Sequence, residues 1–256
     1  MERIKQISFF KIHDIWFDTK RYEESKSNIS ALHTNDDITS KFNFKIVQKT
    51  FLLDISKEKE EIFKKFDYKS ARYAINRAIR DEVTVKKIES NEEIEQYLEF
   101  QKEFCIQKGI PMMNPDEMDS MICYYALSKD GEYLGACAFI YSEEEQIVRY
   151  KYGATKHKLN ANEIILWRAI CDFHDAGYKY FDFGGVVPTE DKESYYYRHY
   201  QFKKKFGGEL IDSYIYIKVR GILRVPAACV MGVVNVFFHG DFNKFTNSLN
   251  KLKLIG

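Results

Sequence analysis

Hydrophobic residues recur along most of this chain with the periods of strands and helices. Residues 42–54 alternate between polar and apolar and then become continuously apolar, which is typical of a strand entering a core. Residues 19–39 are polar and interrupted by serine and asparagine, so they are predicted to form loops or an irregular insertion. Further strands are predicted at 83–88, 122–127, 133–142, 147–153 and 178–183, and helices at 70–80, 91–108, 161–176 and 193–206.

The order of these elements predicts an α/β protein with a mostly antiparallel sheet. Asp130-Gly131 is a hairpin signal between two of the strands, and a third strand follows after a short turn. A helix and one more strand then complete the unit. Short connections between the first three strands are what an antiparallel meander requires.

The stretch from 178 to 210 is the most distinctive part of the chain. Gly184-Gly185 follow an aromatic strand and mark either a turn or a close approach of the backbone. The predicted helix at 193–206 ends before Gly207-Gly208. One helix face is predicted to carry Tyr195, His199, Phe202 and Phe206, and the other Tyr196, Tyr200, Lys203 and Lys204.

Composition restricts the class of protein. Hydrophobic residues make up 45% and aromatic residues 16% of the chain, which is enough for a packed core. The net charge of +1 excludes a strong overall attraction to nucleic acid, so a basic site must be local. The five cysteines show no C-x-x-C pair and no secretory leader is recognisable, so we expect a cytoplasmic protein. The six histidines lack ligand spacing, and no metal site is predicted.

Four stretches carry a resemblance to a known family. FDFGG at 181–185 and FKKKFGGEL at 202–210 closely resemble the signature of the FemABX-like transferases, and 160–185 and 70–85 are similar to the same family. The resemblance covers roughly residues 49–219. It implies the GNAT fold and the transfer of amino acids, usually from aminoacyl-tRNA, to peptidoglycan precursors.

The resemblance also implies a domain organisation. We expect a mixed, mostly antiparallel GNAT-like sheet flanked by helices in residues 86–219, preceded by a reduced or degenerate GNAT-like copy in residues 1–85. Residues 220–256 form a separate apolar and basic segment. FemABX-like ligases have two such copies and are longer, so this chain is predicted to have a shortened first half.

The donor remains open between aminoacyl-tRNA and acyl-CoA, and we expect no tightly bound cofactor. Acyl-CoA users of this fold carry a glycine-rich pyrophosphate loop between the third strand and the next helix. At that place residues 153–162 hold one glycine and two lysines, so the acyl-CoA pattern is not met.

Two residues are the candidate catalytic groups. The family's functional Phe-Lys pair corresponds to Phe202 and Lys203, where the lysine is expected to contact oxygens of the donor or acceptor. Asp182 lies within a predicted strand, so a buried charge there needs a partner. It either caps the glycines by accepting backbone N–H bonds or acts as a general base.

Other residues are candidates for substrate binding. Tyr196 and Tyr200 either stack on a sugar or base or pack in the core. Arg72 and Arg77 either contact phosphate or form a solvated helix face. The substrate-binding candidates are Phe202, Tyr196, Tyr200, Lys204, Gly184, Gly185, Arg72 and Arg77.

These features predict a transferase that moves an aminoacyl or acyl group onto an amine of a peptidoglycan precursor or another cell-surface glycan. One alternative is an acyl-CoA-dependent N-acyltransferase acting on an amino sugar in polysaccharide biosynthesis. The other is a non-catalytic binding module that keeps the fold and its basic edge.

The C-terminal segment predicts peripheral binding to the inner face of the membrane. Between 218 and 256 six basic residues and one acid flank an apolar run at 225–238. This run either packs on the sheet or contacts an anionic leaflet, where each basic residue contributes about 1 kcal/mol. We expect the protein to sediment with anionic liposomes at low salt and less at high salt. Equal sedimentation with neutral and anionic lipids would contradict this.

Overall fold

The computed structural model describes residues 2–7, 10–110, 112, 115–156, 158–194 and 196–219. Within these residues, ten strands form one sheet. The strands are β1 (Glu2–Ile7), β2 (Phe10–Trp16), β3 (Ile29–Thr34), β4 (Phe44–Asp54), β5 (Thr84–Lys87), β6 (Ile122–Leu127), β7 (Tyr133–Ser142), β8 (Ile147–Thr155), β9 (Tyr180–Val186) and β10 (Glu209–Val219).

Helices connect the strands and cover the sheet. Ser90 begins the longest one with a capping box in which its hydroxyl and the Glu93 carboxylate each accept from the other's backbone N–H, and Gly109 ends it in the left-handed conformation. The α-helices are α1 (Thr19–Glu24), α2 (Lys59–Lys65), α3 (Tyr73–Arg80), α4 (Asn91–Lys108), α5 (Ala161–Asp175) and α6 (Tyr197–Lys204); a π-helical turn (Tyr68–Arg72) precedes α3, and a 3-10 turn (Pro115–Ser120) precedes β6.

The sheet is mixed and mostly antiparallel. Its strand order is β1-β2-β3-β10-β4-β9-β8-β7-β6-β5, and in this order only β2 with β3 and β8 with β9 pair in parallel among the described strands. The predicted hairpin joins β6 and β7 through Gly131, whose φ of +82° suits glycine. The expected mixed α/β sheet with flanking helices is confirmed.

The last strand lies in the middle of the sheet. β10 pairs with β3 on one side and with β4 on the other, so residues 209–219 join strands formed by the first 54 residues. One continuous sheet therefore includes residues from both predicted halves, and the division after residue 85 stays a prediction.

Two hydrophobic clusters lie against opposite faces of the sheet. The larger one packs α5 and α3 on strands β4, β7 and β9, with Phe139, Phe181 and Phe183 fully buried. The smaller one packs α4 on β6, β7 and β8. Trp16 and Phe17 also pack with Ile140 of β7 and Ile147 of β8. The β1–β3 end of the sheet therefore curls over the face on which α4 packs.

Two local predictions were wrong, and a third is decided between its two alternatives. Residues 19–39 are not loops alone, because they contain α1 and the fully buried strand β3. For Gly184 and Gly185 the close approach of the backbone holds and the turn does not, because both continue β9 to Val186 and both have close neighbours. Helix α6 begins at Tyr197, four residues later than expected, and its inward side includes the buried Tyr200 while His199 is exposed.

The described residues contain no helix long and apolar enough to cross a membrane. The predicted apolar and basic segment at 220–256, and with it the predicted membrane contact, lies outside the described residues.

Candidate active site

Strands β8 and β9 separate in the middle of the sheet. They pair over three positions only, from Ile147 with Tyr180 to Arg149 with Asp182. Beyond this point β8 follows β7 and β9 follows β4, so a gap opens between the two strands. Backbone groups that border such a gap have no ladder partner across it and can bind a ligand.

A buried ion pair closes the narrow end of the gap. The Arg149 guanidinium lies 3.2 Å from the Asp182 carboxylate, and their side chains are 6% and 0% exposed. The same guanidinium donates to the Ser213 hydroxyl of β10 at 3.4 Å. Removing either partner would leave an uncompensated charge in the core, which costs several kcal/mol.

Asp182 accepts four hydrogen bonds. One carboxylate oxygen accepts from the Thr50 hydroxyl and, at 2.7 Å, from the Gly184 backbone N–H. The other accepts from Asn35 at 3.0 Å and from Arg149. A carboxylate with four donors has its lone pairs occupied, so the geometry favours the capping role over a general base.

Lys203 of α6 lies against β9, the strand that carries Asp182. Its ammonium donates to the Gly185 carbonyl oxygen at 3.0 Å. The pKa of Lys203 is lowered to about 8, mainly by burial and also by the nearby Arg149, while Asp182 opposes the change. The Lys203 side chain is half-buried and extends from α6 to the Gly185 carbonyl oxygen of β9.

Gly184 allows this close arrangement. Its φ is +78°, and a Cβ at this position would lie 2.8 Å from the Tyr150 carbonyl oxygen and 3.4 Å from the Lys203 ammonium. A side chain would therefore push the two strands and the lysine apart. At Gly185 a Cβ would lie 2.9 Å from the Gln48 side chain, so both glycines of FDFGG have close neighbours.

The remaining predicted residues are more dispersed. Phe202 packs edge-on against Phe206 beneath Lys205, and Tyr200 is 8% exposed and packs on Phe51. Three others lie at the surface. Tyr196 precedes α6, Lys204 lies 3.9 Å from Glu190, and Arg77 pairs with Asp81.

Arg72 is separate from the gap. It is half-buried in the π-helical turn, with its guanidinium 5.0 Å from the centre of the Tyr68 ring. The structure thus brings together Lys203, Asp182, Gly184 and Gly185, and places Tyr200 in the core.

Sequence reasoning missed a second polar cluster beside the gap. Asp14 and His33 form a buried hydrogen bond of 2.7 Å, and the Trp16 ring stacks on His33 with the ring centres 3.8 Å apart. Burial alone would raise the pKa of Asp14, but His33, Lys151 and Arg3 together hold it well below its usual range.

Lys151 and Arg3 complete this cluster around Glu117. Lys151 lies 3.5 Å from the Glu117 carboxylate, which also binds Arg3 and accepts from Tyr152 at 2.9 Å. Burial lowers the pKa of Lys151 to about 8. A bulge in β8 opposite Ala138 directs consecutive side chains to this cluster.

A groove of about 730 Å³ lies elsewhere, near the start of β8. Its lining includes Tyr124, Tyr141 and Tyr178 and none of the predicted site residues. Two of its charged side chains pair with each other, Arg168 with Asp172 at 2.8 Å. In the described residues no group of histidine, cysteine and acidic side chains could hold a metal ion.

The fold is that of FemX and of related proteins. FemX superposes with a TM-score of 0.64 at 13% identity, covering 84% of this chain and 83% of FemX. A domain assigned as the C-terminal domain of a lysylphosphatidylglycerol synthetase from Agrobacterium fabrum gives 0.58 at 12% identity, over 92% of this chain and 85% of that one. L-PGS from Bacillus licheniformis gives 0.58 at 11%, over 87% and 82%.

At these identities the likeness establishes the fold. No family model and no curated protein sequence matches this chain. The FemABX-like, GNAT-type fold implied by the sequence resemblance is confirmed, and the chemistry has to be argued from the site itself.

We predict that Asp182→Asn lowers the free energy of unfolding by at least about 3 kcal/mol, because an amide cannot accept all four bonds and Arg149 loses its carboxylate. Urea denaturation measures the change. Asp212→Asn is the matched control, since its partner Lys49 and Asp212 itself are each 42% exposed, and it should cost less than about 1 kcal/mol. Equal losses in the two variants would contradict the prediction.

Lys203→Met should raise stability at neutral pH. The pKa of Lys203 is about 8 in the folded protein and about 10.5 in the unfolded chain, so unfolding binds a proton between these values. The free energy of unfolding of the wild type therefore increases as pH rises from 8 to 10.5, because Lys203 loses its proton in the folded protein first. The advantage of Lys203→Met over wild type should fall by at least about 1 kcal/mol between pH 7 and pH 10.5.

The control for this measurement is the exposed Lys64, on α2. Lys64→Met should differ from wild type by the same amount at both pH values. A pH-independent difference for Lys203→Met as well would show that its charge is not disfavoured by folding.

Proposed function

We propose that this chain is a transferase that moves an acyl or aminoacyl group onto an amine of a peptidoglycan precursor or another cell-surface glycan. The observation that carries the proposal is the ammonium of Lys203 held 3.0 Å from the Gly185 carbonyl oxygen, beside the gap between β8 and β9. The FDFGG and FKKKFGGEL stretches that resemble the family signature supply the residues on that side of the gap.

Acyl transfer requires an electrophile to be held and negative charge to be stabilised. The donor carbonyl would lie in the gap, where backbone groups of the separated strands and the Lys203 ammonium can donate to its oxygen. Negative charge develops on that oxygen as the amine attacks, and a single donor placed there contributes about 10²–10³ in rate. The Arg149–Asp182 pair would keep the gap at constant width.

The loop before α5 indicates which co-substrate is the donor. Lys156 and Lys158 both contact Glu132, at 3.4 Å and 3.0 Å, so their charge is partly compensated. Together with the single glycine in residues 153–162, this supports aminoacyl-tRNA over acyl-CoA as the co-substrate. An acyl-CoA-dependent N-acyltransferase of an amino sugar is the alternative, and neither reaction needs a resident cofactor.

A second acceptor class follows from the structural neighbours. One of them, assigned as a domain of a lysylphosphatidylglycerol synthetase, covers 92% of this chain. A phospholipid headgroup is therefore the second candidate acceptor, and it would agree with the predicted position at the inner face of the membrane.

A non-catalytic binding module explains the site less well. Burial of Lys203 and Lys151 lowers the pKa of both groups to about 8, so both ammonium groups are disfavoured where they lie. Perturbed ionisable groups cluster at catalytic sites. Their presence beside the gap supports an enzyme.

We expect Lys203→Ala to lower kcat/KM at least about tenfold, a loss of about 1.4 kcal/mol in transition-state stabilisation. The assay pairs an alanyl-tRNA minihelix or acetyl-CoA with a UDP-linked muropeptide, glucosamine or phosphatidylglycerol vesicles. Lys64→Ala removes an exposed lysine from a helix and serves as the control. Unchanged kcat/KM in a folded Lys203→Ala protein would remove Lys203 from the site.

A further inference from the structure

A surface of aromatic and basic side chains lies on the π-helical turn and α3, and the scheme above does not use it. Its members, which we call the α3 surface, are Tyr68, Lys69, Arg72, Tyr73 and Arg80. The rings of Tyr68 and Tyr73 are 71% and 53% exposed. Because α3 packs on α5 through Ile75 and Ala78, Tyr73 and Arg80 lie on the side of the helix that faces away from the core.

Most of the positive charge of this surface is not compensated by acids. Residues 67–81 hold four basic and two acidic residues, a net charge of +2 in a chain whose total is +1. Asp67 caps the π-helical turn by accepting a backbone N–H at 2.8 Å, and Asp81 pairs with Arg77 at 3.6 Å. Three basic side chains form no ion pair with the described residues, and they are Lys69, Arg72 and Arg80.

Arg72 is held by an aromatic ring and not by an acid. Its guanidinium carbon lies 5.0 Å from the centre of the Tyr68 ring. Its Nε is buried and has no hydrogen-bond partner in the described part of the chain. A 3.0 Å bond from the Arg72 N–H to the Asp67 carbonyl oxygen closes the turn, and π-helical turns are frequent at functional sites. The planar cation and the exposed ring together form a flat, positively charged platform.

The α3 surface adjoins the helix that carries Lys203. At the start of the π-helical turn, the Asp67 N–H donates to the Lys205 carbonyl oxygen at 2.8 Å. Lys205 is two residues from Lys203, whose ammonium contacts β9 beside the gap. Gly207 packs so closely on the end of α2 that a Cβ would overlap the Lys65 carbonyl oxygen. A ligand that reaches Lys203 can therefore continue along the end of α6 to the α3 surface.

Exposed rings beside uncompensated cations suit a single-stranded nucleic acid. Its bases stack on aromatic side chains, and its phosphates bind basic ones. An anionic membrane matches less well, because a helix that lies in a membrane interface has a broad apolar face, whereas the solvent side of α3 includes Asn76, Arg77 and Arg80. Acyl-CoA carries one base, whereas this surface offers two exposed rings.

We propose that the α3 surface binds the single-stranded 3′ end of the donor tRNA. This inference rests on the proposed function and names the place where the aminoacyl-tRNA lies. Tyr68 and Tyr73 stack on bases, and Lys69 and Arg80 contact phosphates. The nucleotide that carries the aminoacyl group lies at the gap beside Lys203, and the nucleotides before it follow the end of α6. The surface contributes binding and no chemical step.

Fluorescence anisotropy of a labelled tRNA minihelix without an amino acid measures this binding independently of transfer. The wild type should bind a minihelix with a single-stranded 3′ end at least about fivefold more tightly than the same duplex with a blunt end. Tyr68→Leu and Tyr73→Leu should each raise the Kd about five- to a hundredfold, because each removes one stacking ring. Arg72→Lys should also raise the Kd, since it keeps the charge and loses the planar group.

The salt dependence of binding tests the phosphate contacts. Lys69→Gln and Arg80→Gln should each reduce the slope of log Kobs against log salt concentration by about 0.7, the value for one phosphate contact on a single strand. The matched controls are Tyr180→Leu, 41% exposed at the start of β9, and Lys102→Gln, 52% exposed on α4 at the opposite face of the sheet. Both controls should keep the Kd and the slope of the wild type.

The transfer assay separates binding from chemistry. With an alanyl-tRNA minihelix as donor, Tyr73→Leu should raise KM at least about fivefold and leave kcat within about twofold of the wild type. Circular dichroism confirms that each variant is folded.

Several results would overturn the inference while the proposed transfer stands. These are an unchanged Kd in folded Tyr68→Leu and Tyr73→Leu, equal affinity for blunt and single-stranded ends, or an equal loss in the controls. Binding of anionic vesicles that depends on Lys69 and Arg80, in place of RNA binding, would make this surface a membrane contact instead. If the wild type neither binds the minihelix nor transfers its alanyl group, the aminoacyl-tRNA donor fails and the inference with it.

Discussion

The buried ion pair between Arg149 and Asp182 is the interaction on which the arrangement of the site depends. It joins β8 to β9 at the last position where they pair, and through Thr50, Ser213 and Asn35 it also reaches β4, β10 and the end of β3. Buried charges tolerate few geometries, because each must keep its partner and its hydrogen bonds. The point at which the two strands separate is therefore set by electrostatics as well as by backbone pairing.

Positive charge is concentrated around this pair. Arg3, Arg149, Lys151 and Lys203 face three carboxylates, those of Asp14, Glu117 and Asp182. Burial disfavours the charged form of both lysines, so the arrangement opposes stability at neutral pH. Such strain is common where a protein has to stabilise charge that develops on a substrate. It agrees with acyl transfer, in which a carbonyl oxygen becomes negative.

The N-terminal strands contribute side chains to the polar cluster beside the gap. They supply Asp14, Trp16 and His33, and their end of the sheet curls so that these residues meet β8. The likeness to FemX and L-PGS extends over more than four fifths of the chain and establishes the fold these residues belong to.

The sequence by itself determined the elements with strong local signals. The helix at 91–108 is bounded by a capping box formed by Ser90 and Glu93 and by the terminal Gly109, and the hairpin of β6 and β7 has its Asp-Gly turn. The close neighbours of Gly184 and Gly185 were indicated by the residue type alone, since glycine permits what a Cβ would block. Only the tertiary structure decided that 29–34 is a buried strand, because its polar residues are satisfied by distant partners such as Asp14. For the same reason the Asp14–His33 and Arg149–Asp182 pairs were not predicted. Their members are 19 and 33 residues apart, and no local pattern records a contact across a sheet.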